Sequence, residues 1–217
     1  MLESMLFSKR EIQHTPDLTL ALLQAKDGFK ELCFNKAVTK INSPLLSTSF
    51  GKFGSSSFNC ISGYVGVGAT SDFVFTKNDE FTIEQWQYIN SFGSNCWFIA
   101  KGGNTNSCFK TASDNRAYLQ TEGNSVSAVT TSIMAEKVWQ HVAIVQKAGV
   151  IKVYINGVAK LSVAANANFG TLSALLSFGG GSLLKFSCNG YIDQMRLSRI
   201  ARYSADFTPP SQPFVID

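Results

Sequence analysis

The 217-residue sequence predicts an all-β fold in which two antiparallel sheets pack face to face. The main observation is the segment 139–157, where apolar residues alternate with their neighbours in two successive runs. A period of two that is rich in β-branched residues is typical of strands. The second run ends at Asn156-Gly157, two residues that tolerate the positive φ angles of a type I′ hairpin turn. Composition agrees with this prediction, because charged residues make up only 16% of the chain and turn-forming residues are plentiful.

The predicted strands follow one another at short intervals along the chain. Near the N-terminus, Leu18, Leu20 and Leu22 alternate with Thr and Ala, as one face of a strand would. Later strands, between loops rich in Asn, Gly and Ser, are predicted at 64–67, 81–86, 96–100, 117–120 and 176–181. Short strands separated by turn signals favour a sandwich or a barrel, and a sandwich of two packed sheets suits a chain of this length.

We predict one sandwich domain, residues 17–217, preceded by an N-terminal arm of residues 1–16. Within the arm, Leu2, Met5 and Leu6 have helical spacing, but so short a segment does not form a stable helix alone. The arm either docks on a neighbouring subunit or frays as a chain terminus, and the sequence favours neither alternative.

Composition and charge argue against several classes of protein. The net charge of +4 is mild and the basic residues are scattered, which argues against nucleic-acid binding. No apolar run approaches the roughly 20 residues that span a bilayer, so membrane insertion is not expected, and the first residues do not resemble a secretory signal. The cysteines lack the close paired spacing of a disulfide framework or a zinc site, so we expect free thiols at Cys33, Cys60, Cys96, Cys108 and Cys188.

Four segments carry a family resemblance. They are FGKFGSSSF at 50–58, DEFTIEQW at 79–86, WQHVA and VYING within 139–157, and GYIDQMRLSR, ARY and FTPP within 190–210. In this order they resemble the concanavalin A-like lectin/glucanase superfamily, specifically the laminin-G-like domains of bacteriophage virion proteins. The resemblance implies a two-sheet antiparallel jelly roll of the concanavalin A type over residues 18–214, with Arg202 and Tyr203 bracing the final strand. It implies no particular activity, because this fold carries lectins, glycosidases and assembly domains.

The superfamily's glucanases provide the first enzymatic hypothesis. Glu80, Thr82 and Glu84 have the spacing of their Glu-x-Asp-x-Glu motif, with threonine in place of the central aspartate. A retaining hydrolase needs two carboxyl groups about 5–5.5 Å apart, whereas residues four apart on a strand lie roughly 13 Å apart at the backbone. We interpret the glutamates as a solvated strand face and His141 as a hydrogen-bonded residue of the sheet. The chain has two histidines and no Gly-x-Ser-x-Gly, which does not support a serine triad, so we expect no enzymatic activity.

Aromatic and amide side chains form the candidate glycan site. Sugar recognition needs an exposed aromatic platform with hydrogen-bonding groups beside it. The candidates are Trp97, Asn104, Asn106, Asn115 and Tyr118. Core packing and turn chemistry are the alternative explanation for each of these residues.

Two further candidate sites involve amides and carboxylates. Gln85 and Gln87 fall on the strand face that also carries Phe81 and Ile83, and buried amides need partners. Either that end of the face is open or it meets another chain, and we interpret the two glutamines as a contact with another chain. Weak candidates for a Ca²⁺ site, explained equally well by turn chemistry, are Asp72, Asn78 and Asp79. No other cofactor is expected.

The sequence leads to two hypotheses of function. The first is a non-enzymatic bacteriophage virion structural protein, a capsid decoration or tail or fibre component. It would be made in the host cytoplasm and assembled with other virion proteins or with copies of itself. The alternative is a lectin-like adhesin that binds host-surface glycans, with a glycan hydrolase as the weaker third hypothesis.

Overall fold

Two antiparallel sheets carry most of the regular structure of the chain. The computed structural model describes residues 18–68, 73–92, 95–101, 107–112, 114–121, 127–169, 175–181 and 186–217. The first sheet contains β1 (Thr19–Gln24), β3 (Leu45–Ser47), β4 (Ser57–Asn59), β6 (Phe81–Ile89), β11 (Trp139–Lys147), β12 (Val150–Ile155), β13 (Val158–Ala164) and β17 (Gly190–Ser198). Its order is β13-β12-β11-β6-β17-β4-β3, and β1 also pairs with β17.

Among the described residues, the second sheet has seven strands. They are β2 (Val38–Asn42), β5 (Gly63–Val67), β7 (Asn95–Lys101), β8 (Ser107–Ala112), β9 (Arg116–Gln120), β10 (Ser127–Ile133) and β14 (Leu176–Phe178). Their order is β10-β9-β8-β7-β14-β5-β2, and a separate two-stranded ribbon joins β15 (Gly180–Gly181) to β16 (Phe186–Ser187). A short 3-10 helix occupies Ala25–Asp27. In the part of the chain that the structure describes, no helix is long and apolar enough to cross a membrane.

The main core fills the space between the two sheets. Phe81, Ile83 and Ile144 point into it from the first sheet, and Phe109 and Leu119 face them from the second. Each of these side chains is at most 1% exposed. The predicted all-β sandwich of two antiparallel sheets is therefore confirmed.

A second apolar layer lies on the opposite, outer face of the first sheet. Residues 199–217, which we call the covering segment, run over this face after β17 and bring Tyr203, Phe207 and Phe214 against it. Trp86 and Tyr154 of the sheet pack under these rings. The central strand β6 is consequently buried on both faces, which explains why its sequence does not alternate simply between apolar and polar residues.

The hairpins of the first sheet have the predicted turn chemistry. Asn156 and Gly157, between β12 and β13, have φ angles of 51° and 79°, as a type I′ turn requires. Ala148 and Gly149, between β11 and β12, repeat the pattern with 48° and 72°. Gly179, at φ 78°, separates β14 from β15, so the glycines there form the predicted bend between strands. The predicted N-terminal arm lies outside the described residues.

Candidate functional site

A groove of about 300 Å³ lies on the outer face of the first sheet, beside the covering segment. Its floor and walls come from β11, β12, β13 and the start of the covering segment. The lining residues are Val145, Lys147, Val150, Lys152, Ser162, Tyr203 and Ser204. A concave site with an apolar floor and a few polar groups is the usual form of a small-ligand site.

Strand register explains why the floor residues meet. Val145 of β11 lies opposite Lys152 of β12, which in turn lies opposite Ser162 of β13. Two residues further along the same two strands, Lys147 lies opposite Val150. Because side chains on a strand alternate between its two faces, all five project from the outer face of the sheet. The floor therefore combines two valines, two lysines and a serine.

The wall of the groove is held in place by its own contacts. The Tyr203 hydroxyl donates to Glu84 Oε2 over 2.8 Å, and its ring stacks on Phe207 with centroids 3.5 Å apart and planes at 4°. Lys152 Nζ donates to the carbonyl oxygen of Ser204 over 3.0 Å. Burial and the neighbouring Glu84 carboxylate raise the pKa of Tyr203. The hydrogen bond to Glu84 and the stacking on Phe207 hold the ring in this orientation.

Beneath the wall, Glu84 is the centre of a buried cluster of polar groups. Its carboxylate accepts from Arg196 Nε at 2.9 Å and from Tyr203 at 2.8 Å, and His141 Nε2 lies 3.1 Å away. Burial alone would raise the pKa of Glu84. The His141 hydrogen bond, the Arg196 charge and the Tyr203 hydroxyl instead lower it below its ordinary value. Glu84 is therefore held as an ion by its neighbours.

This cluster corrects the interpretation of the two glutamates as a solvated strand face. The Glu84 side chain is 0% exposed, because the covering segment lies over it. Glu80, just before β6, stays at the surface and accepts from the amide of Ala201 over 3.4 Å. The two carboxylates thus serve different contacts, and Glu84 is inaccessible to a substrate. The prediction that His141 is a hydrogen-bonded residue of the sheet is confirmed.

The bracing role implied for Arg202 and Tyr203 is also confirmed. Arg202 Nε donates to Ser198 Oγ at the end of β17 over 2.7 Å, and its other nitrogens donate to both carboxylate oxygens of Asp217. The backbone amide of Arg202 donates to Thr82 Oγ1 over 2.9 Å. These bonds attach the covering segment to two strands of the first sheet.

Two of the glycan candidates of the sequence, Trp97 and Tyr118, lie on strands of the second sheet, away from the groove. Register places Trp97 of β7 opposite Lys110 of β8, and Lys110 opposite Tyr118 of β9. The Tyr118 hydroxyl donates to Asp114 Oδ2 over 2.7 Å, and Asn115, at φ 59°, occupies the preceding turn. Trp97 and Tyr118 thus share one row across three strands. The side chain of Trp97, together with Asn104 and Asn106, lies outside the described part of the structure.

The structure corrects the interpretation of Gln85 and Gln87 as a contact with another chain. Both side chains point between the sheets and are 0% exposed, and Gln85 Nε2 donates to Gln87 Oε1 over 2.7 Å. They meet each other because residues two apart share one face of a strand. Fully enclosed amides present no surface to another chain.

Two of the calcium candidates, Asn78 and Asp79, lie in a hydrogen-bonded turn. Asp79 Oδ2 accepts from the amide of Thr76 over 2.6 Å, and the amide of Asn78 donates to Thr76 Oγ1 over 3.3 Å. Asp72 lies outside the described residues. Among the residues that are described, no group of three or more His, Cys, Asp or Glu side chains is close enough to hold a metal ion.

Sequence reasoning missed the groove. Lys147 and Lys152 look like ordinary solvated strand residues, and their neighbours Val145 and Val150 look like core. One sequence signal was present: Val145 and Lys147, like Val150 and Lys152, are spaced by two and therefore share a face. The wall comes from residues more than 50 positions away, as the bond between Lys152 and Ser204 shows.

Comparisons with known proteins agree on the fold. Domain 4 of AbnA, a GH43 extracellular arabinanase from Geobacillus stearothermophilus solved with arabinotriose, superposes with a TM-score of 0.70 at 16% identity, covering 85% of this chain and 94% of that one. The binding domain of Paraclostridial Mosquitocidal Protein 1 gives a TM-score of 0.67 at 16% identity, covering 86% of this chain and 49% of that one.

A structure of botulinum neurotoxin type C, from work on its interaction with two ganglioside molecules, gives a TM-score of 0.63 at 15% identity, covering 85% of this chain and 48% of that one. The chain thus spans about half the length of these toxin structures. No curated protein sequence matches it. A family model described as the concanavalin A-like lectin/glucanases superfamily, of the laminin G type, matches residues 62–206. The chain therefore belongs to the concanavalin A-like lectin/glucanase superfamily, as a laminin-G-like domain.

Proposed function

We propose that this chain is a non-enzymatic, lectin-like domain that binds a glycan in the groove beside Tyr203. The observation that carries the proposal is the composition of the groove, which joins an immobilised aromatic ring and two valines to lysine and serine donors. A sugar ring has an apolar face of C–H groups and a rim of hydroxyls. The C–H face packs on aromatic and aliphatic side chains, and the hydroxyls accept and donate hydrogen bonds.

Binding without catalysis is favoured by the state of the acidic residues. Glycoside hydrolysis uses a pair of carboxyl groups on either side of the scissile bond. Glu84, the carboxylate that Tyr203 of the groove wall contacts, is enclosed and engaged by Arg196, His141 and Tyr203. The lining residues of the groove include lysines, a tyrosine and serines but no carboxylate.

The structural neighbours support the same proposal. One is an arabinanase domain solved with arabinotriose, and another is a toxin structure from work on two ganglioside molecules. The virion role rests on the last of the four resembling segments, the motif at 190–210. That role includes a location in the virion and partners in the capsid, in the tail or in copies of the chain itself. In this chain Arg202 and Tyr203 of that motif are occupied in attaching the covering segment. Their presence therefore has an explanation within the fold, and the motif by itself does not favour a virion role over glycan binding.

A glycan array with the purified protein tests the proposal. Ser162 is exposed on β13 and lines the groove, so Ser162→Trp should fill it and abolish binding while leaving the fold intact. Thr39→Trp, at an exposed position of β2 in the second sheet, is the matched control and should bind as the unchanged protein does. Each array is repeated in calcium and in EDTA, which tests the weak Ca²⁺ candidates at the same time.

The alternative glycan site on the second sheet is tested by Tyr118→Ala. If Tyr118→Ala abolishes binding while Ser162→Trp does not, the glycan site is the row of Trp97, Lys110 and Tyr118 and the groove is not involved. If the unchanged protein binds no glycan on the array, in calcium or in EDTA, the lectin-like proposal is overturned. Co-purification of the protein with phage particles would then restore the virion role.

A further inference from the structure

We propose that the glycan taken by the groove is acidic, with a carboxylate or sulfate group held between Lys147 and Lys152 and a sugar ring against Tyr203. This inference rests on the proposed function, since it names the chemical class of the glycan. It is drawn from the placement of charge within the groove.

The two lysines lie as diagonal neighbours on one face of the sheet. Lys152 is opposite Val145, and Lys147 is two residues beyond Val145 on β11. Diagonal positions on paired strands lie about 7–8 Å apart, which is within reach of long side chains. An anionic group located between them can therefore accept hydrogen bonds from both ammonium groups.

Lys152 is already oriented towards the groove. Its Nζ donates to the carbonyl oxygen of Ser204, which fixes the side chain against the wall. An ammonium group has three donors, so two remain for a ligand after this bond is made. A donor held in place before binding loses less conformational entropy when the ligand arrives, which favours affinity.

The positive charge of the groove has no carboxylate to balance it among the lining residues. The acidic residues Asp206, Glu80 and Glu84, in and near the covering segment, are not among these lining residues and make other contacts. Asp206 accepts from the amide of Ala159, Glu80 from the amide of Ala201, and Glu84 from the buried cluster. Two like charges that share one apolar groove repel each other, and a bound anion would relieve that repulsion.

The apolar part of the groove favours a sugar acid over a free inorganic anion. Val150 and the Tyr203 ring, both partly exposed, offer a surface that phosphate or sulfate alone would leave uncovered, and the volume of about 300 Å³ is at the small end of ligand sites. We therefore expect one terminal acidic sugar unit to occupy the groove, with the remainder of the glycan outside it.

The test uses matched pairs of glycans that differ only in the acidic group. The array carries neutral oligosaccharides beside their sialylated, uronic-acid and sulfated counterparts, so the carboxylate and sulfate arms are read separately. The best pair is then titrated calorimetrically against the unchanged protein, Lys147→Gln, Lys152→Gln and the double variant. Lys40→Gln is the control, since Lys40 is an exposed lysine on β2 of the second sheet.

We expect the acidic member of the pair to bind about tenfold more tightly than the neutral one at low salt, and the difference to shrink at high salt. Each single variant should lose about three- to fivefold in affinity for the acidic glycan, and the double variant about tenfold, with little change for the neutral glycan. Lys40→Gln should match the unchanged protein.

Three contrary outcomes are distinguishable. If neutral and acidic members bind equally and the double variant is unaffected, the inference is wrong while the glycan-binding function stands. If no glycan of either kind binds, the proposed function itself fails. If inorganic sulfate competes as well as the sulfated glycan does, the site is a simple anion site and the assignment to an acidic sugar is overturned.

Discussion

Glu84 and Arg196 lie opposite each other on β6 and β17, and Arg196 Nη2 approaches Glu84 Oε1 to 2.8 Å. Their side chains are 0% and 8% exposed, so the ion pair is removed from water. Arg196 also stacks on Phe214, with its guanidinium 4.7 Å from the ring centroid, and donates to the carbonyl oxygen of Val215. The pair therefore connects the central strands to the covering segment that forms the wall of the groove.

We predict that Glu84→Gln lowers the free energy of unfolding by about 3 kcal/mol, because it leaves Arg196 buried without its counter-ion. The neutral amide keeps the shape of the side chain, so the loss measures charge pairing rather than packing. Urea unfolding followed by tryptophan fluorescence gives the value.

Glu80→Gln is the matched control for this change. Glu80 belongs to the same sequence motif but is exposed, so its substitution should cost less than about 0.5 kcal/mol. Equal losses for Glu80→Gln and Glu84→Gln would contradict the buried cluster.

The same carboxylate predicts an acid-dependent loss of stability. The pKa of Glu84 in the folded chain lies below its ordinary value of 4.5, because the His141 hydrogen bond and the Arg196 charge outweigh the effect of burial. Its contribution is therefore complete above about pH 4.5 and is lost as pH falls further towards the folded-state pKa. The difference in unfolding free energy between the unchanged protein and Glu84→Gln should be constant from pH 7 to about pH 5.5 and shrink below about pH 4.5. A difference that grows in acid would contradict the direction of the shift.

We predict that Gly157→Ala is strongly destabilising. Gly157 has φ 79°, and a methyl group there would overlap the carbonyl oxygen of Phe207, whose amide donates to Gly157. The expected loss is about 3 kcal/mol from backbone strain and overlap together. Gly149→Ala is the control, because Gly149 has a similar φ of 72° with open space around it, and it should cost only about 1 kcal/mol. Equal melting temperatures for the two variants would show that the covering segment does not press on this turn.

The buried glutamine pair predicts a non-additive double-mutant cycle. Gln87→Leu alone removes the acceptor of Gln85 Nε2. It should lower the free energy of unfolding by about 1–3 kcal/mol, because a buried donor is left without a hydrogen bond. In the unchanged protein, Gln85 Oε1 and Gln87 Nε2 already have no hydrogen-bond partner among the described residues. Replacing both glutamines by leucine should therefore be neutral to within about 1 kcal/mol, or stabilising. Additive losses in thermal unfolding would argue that each amide has its own separate partner.

Much of the fold could be predicted because its signals are local. The alternation at 139–157, the turn at Asn156-Gly157 and the bend at Gly179 depend on residues within a few positions of each other. Strand propensity and the φ angles that a residue tolerates are properties of short segments. Strands and turns can therefore be predicted from them without knowledge of the tertiary contacts. The family resemblance extended this reading to Arg202 and Tyr203.

The candidate site depended on contacts that no local pattern contains. Glu84 looked solvated because glutamate is rarely buried, yet Tyr203, 119 residues away, lies over it and binds its carboxylate. Gln85 and Gln87 looked like an interface because the sequence does not show that the opposite sheet encloses them. The sequence by itself thus determined the strands, their turns and the class of fold. Only the tertiary structure decided which faces are covered, because burial depends on the whole arrangement of elements. The groove lined by Lys147 and Lys152, beside the covering segment, is a result of that arrangement.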